Sequence, residues 1–317
     1  MTNSSTDLAP TESPTASAAP SATEPSVPPR PRRRRSGRAP APFRPYHLAL
    51  YLMLGTVVLS TTAAFAWVFN ASMKSNREFL GTSPWSLAET WRWENYTRAW
   101  NDADIGAYFG NSVFVTVTAT VLGVLVSVFA AYPLARIRFR GSTIVLSVFL
   151  MGLMIPWMVT FAPLYNLMQD FGLLDSRIGL IVVYATYNIP FNVFVLTGFM
   201  KTLPYELEEA AAIDGASPSR TFVSVILPLM GPGVASVAII SFLQNWNEFF
   251  YALLLIHSPE KMTLPLGLFQ LGQAASYGTN WVTLFAGMMI TVAPVLLVFA
   301  LLQKQITKGL TVGALKG

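Results

Sequence analysis

Apolar residues in this chain come in long blocks rather than in alternation. Six stretches, at residues 48–69, 112–134, 143–164, 178–200, 233–256 and 281–302, are almost free of charge. Each is about 20 residues or longer, enough to cross a hydrocarbon core of about 30 Å as a helix. Helix is also the only open-chain way to satisfy every backbone N–H and C=O group in lipid. The pattern predicts an all-α, polytopic membrane protein with six transmembrane helices. Residues 44–317 form this membrane domain, and residues 1–43, rich in Ser, Thr, Pro and Ala, read as a disordered tail.

Composition agrees. The 317 residues are 53% hydrophobic and 12% charged, where a soluble domain carries about 25% charge. Mean hydropathy is +0.47. Cysteine is absent, which excludes disulfides and thiolate metal sites. His47 and His257 are far apart in the chain, each beside a membrane edge. Two isolated histidines offer little to a membrane enzyme.

The net charge of +5 invites a nucleic-acid reading, above all for RPRRRRSGR at residues 30–38. A membrane stretch follows at once, so this run reads as an anchor on anionic lipid and an orientation signal. With the N-terminus inside, fifteen of the 21 Lys and Arg residues fall in inside segments and six in outside ones. That places both termini in the cytoplasm. Ala64, Phe65 and Ala66 look like a signal-peptidase site, but the apolar run is longer than a signal core, which argues for retention. The aromatic segment WRWENYTRAW (91–100) lies in the first outside loop and reads as an interfacial anchor.

The inside segment 203–232, LPYELEEAAAIDGASPSRTFVSVILPLMGP, is the most informative. Pro204 fits a first helical turn, Glu206 suits the positive end of the helix dipole, and Asp214 closes an 11-residue helix before Gly215 ends it. Ser217 and Pro218 open the next helix. Leu207, Ala210 and Ala211 share one face by their i, i+3, i+4 spacing. Two readings fit that face: a helix in the groove of a soluble partner, or an amphipathic helix on the bilayer surface. The acidic cluster Glu206, Glu208 and Glu209 reads as a solvated face.

Inside the membrane stretches, polar residues concentrate in two places. Glu248 lies in the outer half of the fifth stretch, just after Asn245, Trp246 and Asn247. Asn188 and Asn192 are one turn apart on the fourth, around Pro190. All are candidates to line a pathway, since buried polar groups in lipid face a cavity or a partner. The competing reading is interhelical hydrogen bonding. Pro156, Pro163 and Pro294 mark further bends.

The residues Glu209, Ala210, Ala211, Gly215, Val225, Leu227 and Pro228 follow the pattern EAA, three residues, G, nine residues, I-x-L-P, with Val225 in the Ile position. This resembles the EAA loop of binding-protein-dependent ABC importer permeases. ENYTRAW (94–100), NSVFVT (111–116), QNWNEFFYALLL (244–255) and ITKGLTVGALKG (306–317) resemble the maltose-type carbohydrate permeases of that family. The resemblance implies that the EAA helix is a cytoplasmic coupling helix docked on a nucleotide-binding ATPase dimer. It implies a companion permease and an extracytoplasmic sugar-binding protein as further partners. It implies tail contacts to the ATPase from Lys316 and Gly317, and sugar contacts mainly on the companion. No Gly-Lys dipeptide occurs, so the phosphate-cradling GxxxxGK[ST] loop is absent. This chain is then expected to carry no cofactor, with ATP and Mg bound by the partner ATPase.

Overall fold

The computed structural model describes residues 45–276 and 280–314, which are helical throughout apart from their connections. The N-terminal tail and the proposed tail contacts at Lys316 and Gly317 lie outside these residues. Residues 55–317 make up one compact unit, and residues 45–54, the described part of the other, are helical.

The first helix, α1, runs Pro45–Ser72. Two short helices, α2 (Asn76–Gly81) and α3 (Glu94–Asn101), follow it. The second apolar stretch becomes α4, Ile105–Arg136, 32 residues long. It outruns its apolar core because polar groups at its ends have partners. The fourth stretch becomes α7, Arg177–Met200, with Ser176 capping its start. These two helices pack closely at Gly123, where a Cβ would come 3.1 Å from the carbonyl oxygen of Ala185. Small residues at such crossings let two backbones approach in the membrane.

The third stretch is not a single straight span. Helix α5 (Ser142–Met154) stops at Ile155, which is extended because the next residue is Pro156. A 3₁₀ turn at Trp157–Thr160 and α6 (Phe161–Asp170) then leave at 97°. The loop after α7 carries α8 (Glu206–Ile213), α9 (Pro218–Thr221), a π-helical turn at Phe222–Ile226 and α10 (Leu227–Leu229). Pro228 has no N–H to return to Ser224, and its ring crowds that carbonyl, so the helix widens there. The fifth stretch is α11 (Gly231–Trp246), bent 71° from the preceding segment, then a break at 247–249, then α12 (Phe250–Leu255). The sixth is α14 (Trp281–Ala314). Among the described residues, four helices are long and apolar enough to cross a membrane, or up to six spans if each bent pair counts as one. A helix absent from the sequence reading, α13 (Leu264–Ser276), buries Leu264, Leu266, Gly267 and Ala275.

Apolar packing divides into two clusters. One, with Ile105, Leu180, Tyr184, Trp246 and Leu255, lies toward the start of α4. The other, with Val128, Leu196, Met200, Phe222, Ile226 and Met230, lies against the 203–232 loop. At the end away from that loop, Asn111 of α4 donates to the carbonyls of Glu260 and Met262, both at 2.9 Å, and accepts from Arg177. Ser112 accepts from the N–H of Leu264 at 2.7 Å. Asp175 joins the same end, taking Lys261, the Ser258 hydroxyl and the N–H groups of His257 and Ser258.

Candidate functional site

The 203–232 loop is clamped to the end of α4. Arg136 stands in the last turn of α4 with its side chain 1% exposed. Its Nη2 donates to the carbonyl of Leu203 at 3.0 Å. Its Nε lies 3.0 Å from Glu208 Oε1, a charge contact that falls short of hydrogen-bond alignment. Its guanidinium carbon sits 4.4 Å over the ring of Tyr205, and the Tyr205 hydroxyl donates to the carbonyl of Ala135 at 3.3 Å. An arginine fork can meet a carboxylate, a carbonyl and an aromatic face at once, which a lysine cannot. Glu208 is therefore a partner of α4 rather than part of a solvated face. The sequence reading missed this clamp because Arg136 entered it only as an orientation charge.

Helix α8 starts two residues later than expected, with Tyr205 before its first turn. Glu206, Glu208 and Glu209 occupy that turn, at the positive end of the helix dipole. The helix ends as Gly215 requires. Gly215 has φ +78°, its N–H reaches the carbonyl of Ala212, and the N–H of Ala216 reaches that of Ala211 at 2.9 Å. This is the paired C-terminal closure that favours glycine. Ser217 then caps α9, with Pro218 as its first residue.

The exposed face of α8 differs from the expected one. Ala211 points inward and is 9% exposed, and Leu207 is half-buried. Glu209, Ala210 and Ile213 point outward, with Ile213 86% exposed. Leu227 is half-buried and Pro228 exposed. The outward face is thus an apolar residue and an alanine bordered by carboxylates, on a lever whose other side is fixed to α4.

Within the spans, most of the candidate pathway residues are drawn into the helix bundle instead. Asn188 donates to Asn245 Oδ1 and to the Tyr184 carbonyl, both at 2.8 Å. Asn245 donates to Thr120 at 3.1 Å, and Asn192 pairs with Ser241 at 3.1 Å. Asn188, Asn192 and Asn245 are buried, at 2%, 0% and 5% exposure. They tie α4, α7 and α11 together. Trp246 is buried too, its indole N–H on the carbonyl of Thr291. Asn247 is exposed but folds back on the Leu243 carbonyl. Glu248 is half-buried, accepts from the Tyr184 hydroxyl at 2.6 Å, and takes the N–H groups of Tyr251 and Ala252. It caps α12, which is why the chain can restart a helix after the break.

One cavity of about 320 Å³ opens beside this network, between the α5–α6 break and α7, α11 and α12. Its walls include Trp157, Thr186, Tyr187, Asn188, Gln244 and Tyr251. Of the candidates from sequence, Asn188 alone belongs to it.

Interrupted membrane helices around an internal cavity, with a clamped helical lever at one end, define a transport subunit. The sequence model of the family described as "Binding-protein-dependent transport system inner membrane component" matches residues 123–312. The chain belongs to this family and is its transport component rather than an enzyme. It is 40% identical over 268 residues to the diacetylchitobiose uptake system permease protein NgcG of Streptomyces coelicolor, covering 84% of this chain and 87% of that one. It is 30% identical over 251 residues to the trehalose transport system permease protein SugB of Mycobacterium tuberculosis, covering 79% and 91%. In fold it is similar to a chain of a bacterial ABC transporter that imports the polysaccharide alginate, with a TM-score of 0.74 and 22% identity, covering 84% of this chain and 99% of that one.

Proposed function

We propose that this chain is one permease subunit of an ATP-driven carbohydrate importer of the cell membrane, with a di- or oligosaccharide as cargo. The relatives named for diacetylchitobiose and trehalose uptake support the substrate class. The excess of Lys and Arg in the tail and in the 135–142, 201–232 and 303–317 segments supports cytoplasmic termini.

The observation that carries the mechanism is the clamp of α8 on α4. A helix held at Arg136 and ended by Gly215 moves as a unit with the span it is fixed to. Its outward face, Glu209, Ala210 and Ile213, is then the surface for a nucleotide-binding ATPase dimer, which binds ATP and Mg. Movement of that dimer pulls α8, and α8 pulls α4. Because α4 packs on α7 and α11, the displacement reaches the cavity and exposes it alternately to the two sides. A companion permease covers the other wall, and an extracytoplasmic sugar-binding protein delivers the cargo, as in the alginate importer solved with its saccharide-bound periplasmic protein.

Uptake in proteoliposomes tests this reading. With the companion permease reconstituted beside this chain, radiolabelled disaccharide enters only when the ATPase, ATP and the binding protein are present, and vanadate stops it. Uptake that ignores vanadate but collapses with a protonophore contradicts it.

A further inference from the structure

One helix interruption opens on the cavity at Ile155, and a second falls between its lining residues Gln244 and Tyr251. Ile155 and Pro156 are extended between α5 and the following turn, and residues 247–249 separate α11 from α12. Counted from its start, α11 has risen about 24 Å at its end, so its break lies at membrane depth. Non-helical backbone is tolerated there only when protein covers it or it lines a watered cavity. Ile155 is 56% exposed, so this unit does not cover it.

Beside the cavity, polar side-chain atoms are left without a hydrogen-bond partner among the described residues. Both N–H bonds of the Asn188 amide are used, on the Tyr184 carbonyl and on Asn245. These two acceptors fix the amide's orientation, since a flipped amide would set its oxygen against theirs. Asn188 Oδ1 is left buried with no hydrogen bond. Gln244 is exposed on the cavity wall with no side-chain hydrogen bond among the described residues, and Thr186 is exposed there as well. Four aromatic residues line the same cavity, Trp157, Tyr187, Phe191 and Tyr251. Trp157 packs at 4.6 Å from Phe250, and Tyr187 lies 5.8 Å from Tyr251.

Amide and hydroxyl groups among aromatic faces suit a ligand with a ring of hydroxyls and an apolar C–H face. The charged side chains that would favour an ion or a zwitterion are absent from these walls. Resting on the carbohydrate-import reading, we propose that this cavity is a sugar subsite on this subunit itself. Gln244 and Thr186 take the hydroxyls, and Trp157 and Tyr187 hold the ring face. The subsite is separate from the Asn192–Ser241 and Tyr184–Glu248 pairs, whose polar atoms bond one another.

The absence of cysteine permits a direct test. Single-cysteine variants Q244C and T186C are assembled with the companion permease and the ATPase in nanodiscs and exposed to a water-soluble methanethiosulfonate. V126C, on an exposed apolar stripe of α4, serves as the control. The proposal expects Q244C and T186C to react at least tenfold faster than V126C. It also expects at least threefold protection by the disaccharide that the wild type imports, chosen from diacetylchitobiose, trehalose and cellobiose by uptake. Alongside, Q244A raises the KM for uptake several-fold while ATPase assembly is retained. Reaction no faster than V126C, or fast reaction that the imported sugar leaves unchanged, overturns the subsite. If the wild type drives no ATP-dependent uptake of any carbohydrate, the permease reading itself fails.

Discussion

Arg136 and Glu208 sit 72 positions apart and meet at 3.0 Å, one closing a membrane span and the other opening the lever beneath it. The arginine side chain is almost wholly buried, while the glutamate is 20% exposed. Cutting this contact frees α8 without touching its outward face. R136Q is expected to insert normally, retain ATPase binding and lose at least tenfold in uptake. R136K keeps the charge but not the fork, and falls between. E208Q, which keeps a hydrogen-bonding group, is milder than R136Q. Uptake and ATPase rates measured side by side check this. Equal loss of both would mean a folding defect rather than uncoupling.

Gly215 is needed for conformation, not for space. A Cβ at this position meets nothing within 4 Å, yet φ is +78°. A non-glycine residue in the left-handed region costs about 1–2 kcal/mol, least for Asn. Uptake should therefore fall in the order Gly, Asn, Ala, Val. A bulky residue that transports as well as glycine would show that the helix ending does not matter.

Gly123 is the opposite case. It lies inside α4, and a methyl group there approaches the Ala185 carbonyl at 3.1 Å. G123A forces α4 and α7 apart by a few tenths of an ångström, and G123V by more. Overpacking of this kind costs about 1–3 kcal/mol. Thermal unfolding in detergent should fall by several degrees for G123A and further for G123V, with G110A, at an open position, as the neutral control.

The clasp at Asp175 has a pH signature. Burial alone raises its carboxyl, but hydrogen bonds from Lys261, Ser258 and the backbone of Ser258 and His257 outweigh that and hold it well below the ordinary carboxylate value. A folded value below the unfolded one, about 3.9, gives stability that is present above that pH and is lost as pH falls toward the folded value. The melting-temperature gap between wild type and D175N should stay constant from pH 8 to about 5 and narrow only below about 4. A gap that closes between pH 7 and 5 contradicts this.

The sequence made the membrane class legible because lipid imposes one rule, length of apolar helix, and six stretches obey it. It also located the loop at 203–232, since Gly215, Ser217 and Pro218 are each demanded by backbone geometry. It did not show that Ala211 faces inward, because the face a short helix buries depends on Arg136, 75 positions away. Nor did it show the breaks as breaks. Pro156 marked a bend, but the turn of 97° depends on α6 leaving the third span to pack elsewhere. Helix α13 was hidden because Pro265, Gly267 and Gly272 blur its periodicity. Asn188, Asn192 and Asn245 left two readings open, pathway lining and interhelical hydrogen bonding, for a related reason. Pattern gives polarity and depth, but only packing reveals that amides on different helices satisfy one another. Gln244, one residue before that group, was quoted within a motif and not singled out, though it is the amide left without a partner.

Cysteine cross-linking to the ATPase subunit tests the coupling account most directly. A210C, A211C and I213C are compared in the otherwise cysteine-free chain, each against an ATPase carrying surface cysteines. Ile213 and Ala210 should capture the ATPase in high yield, and Ala211 should not. Capture at Ala211 equal to that at Ile213, or no capture at any of the three, would contradict the account.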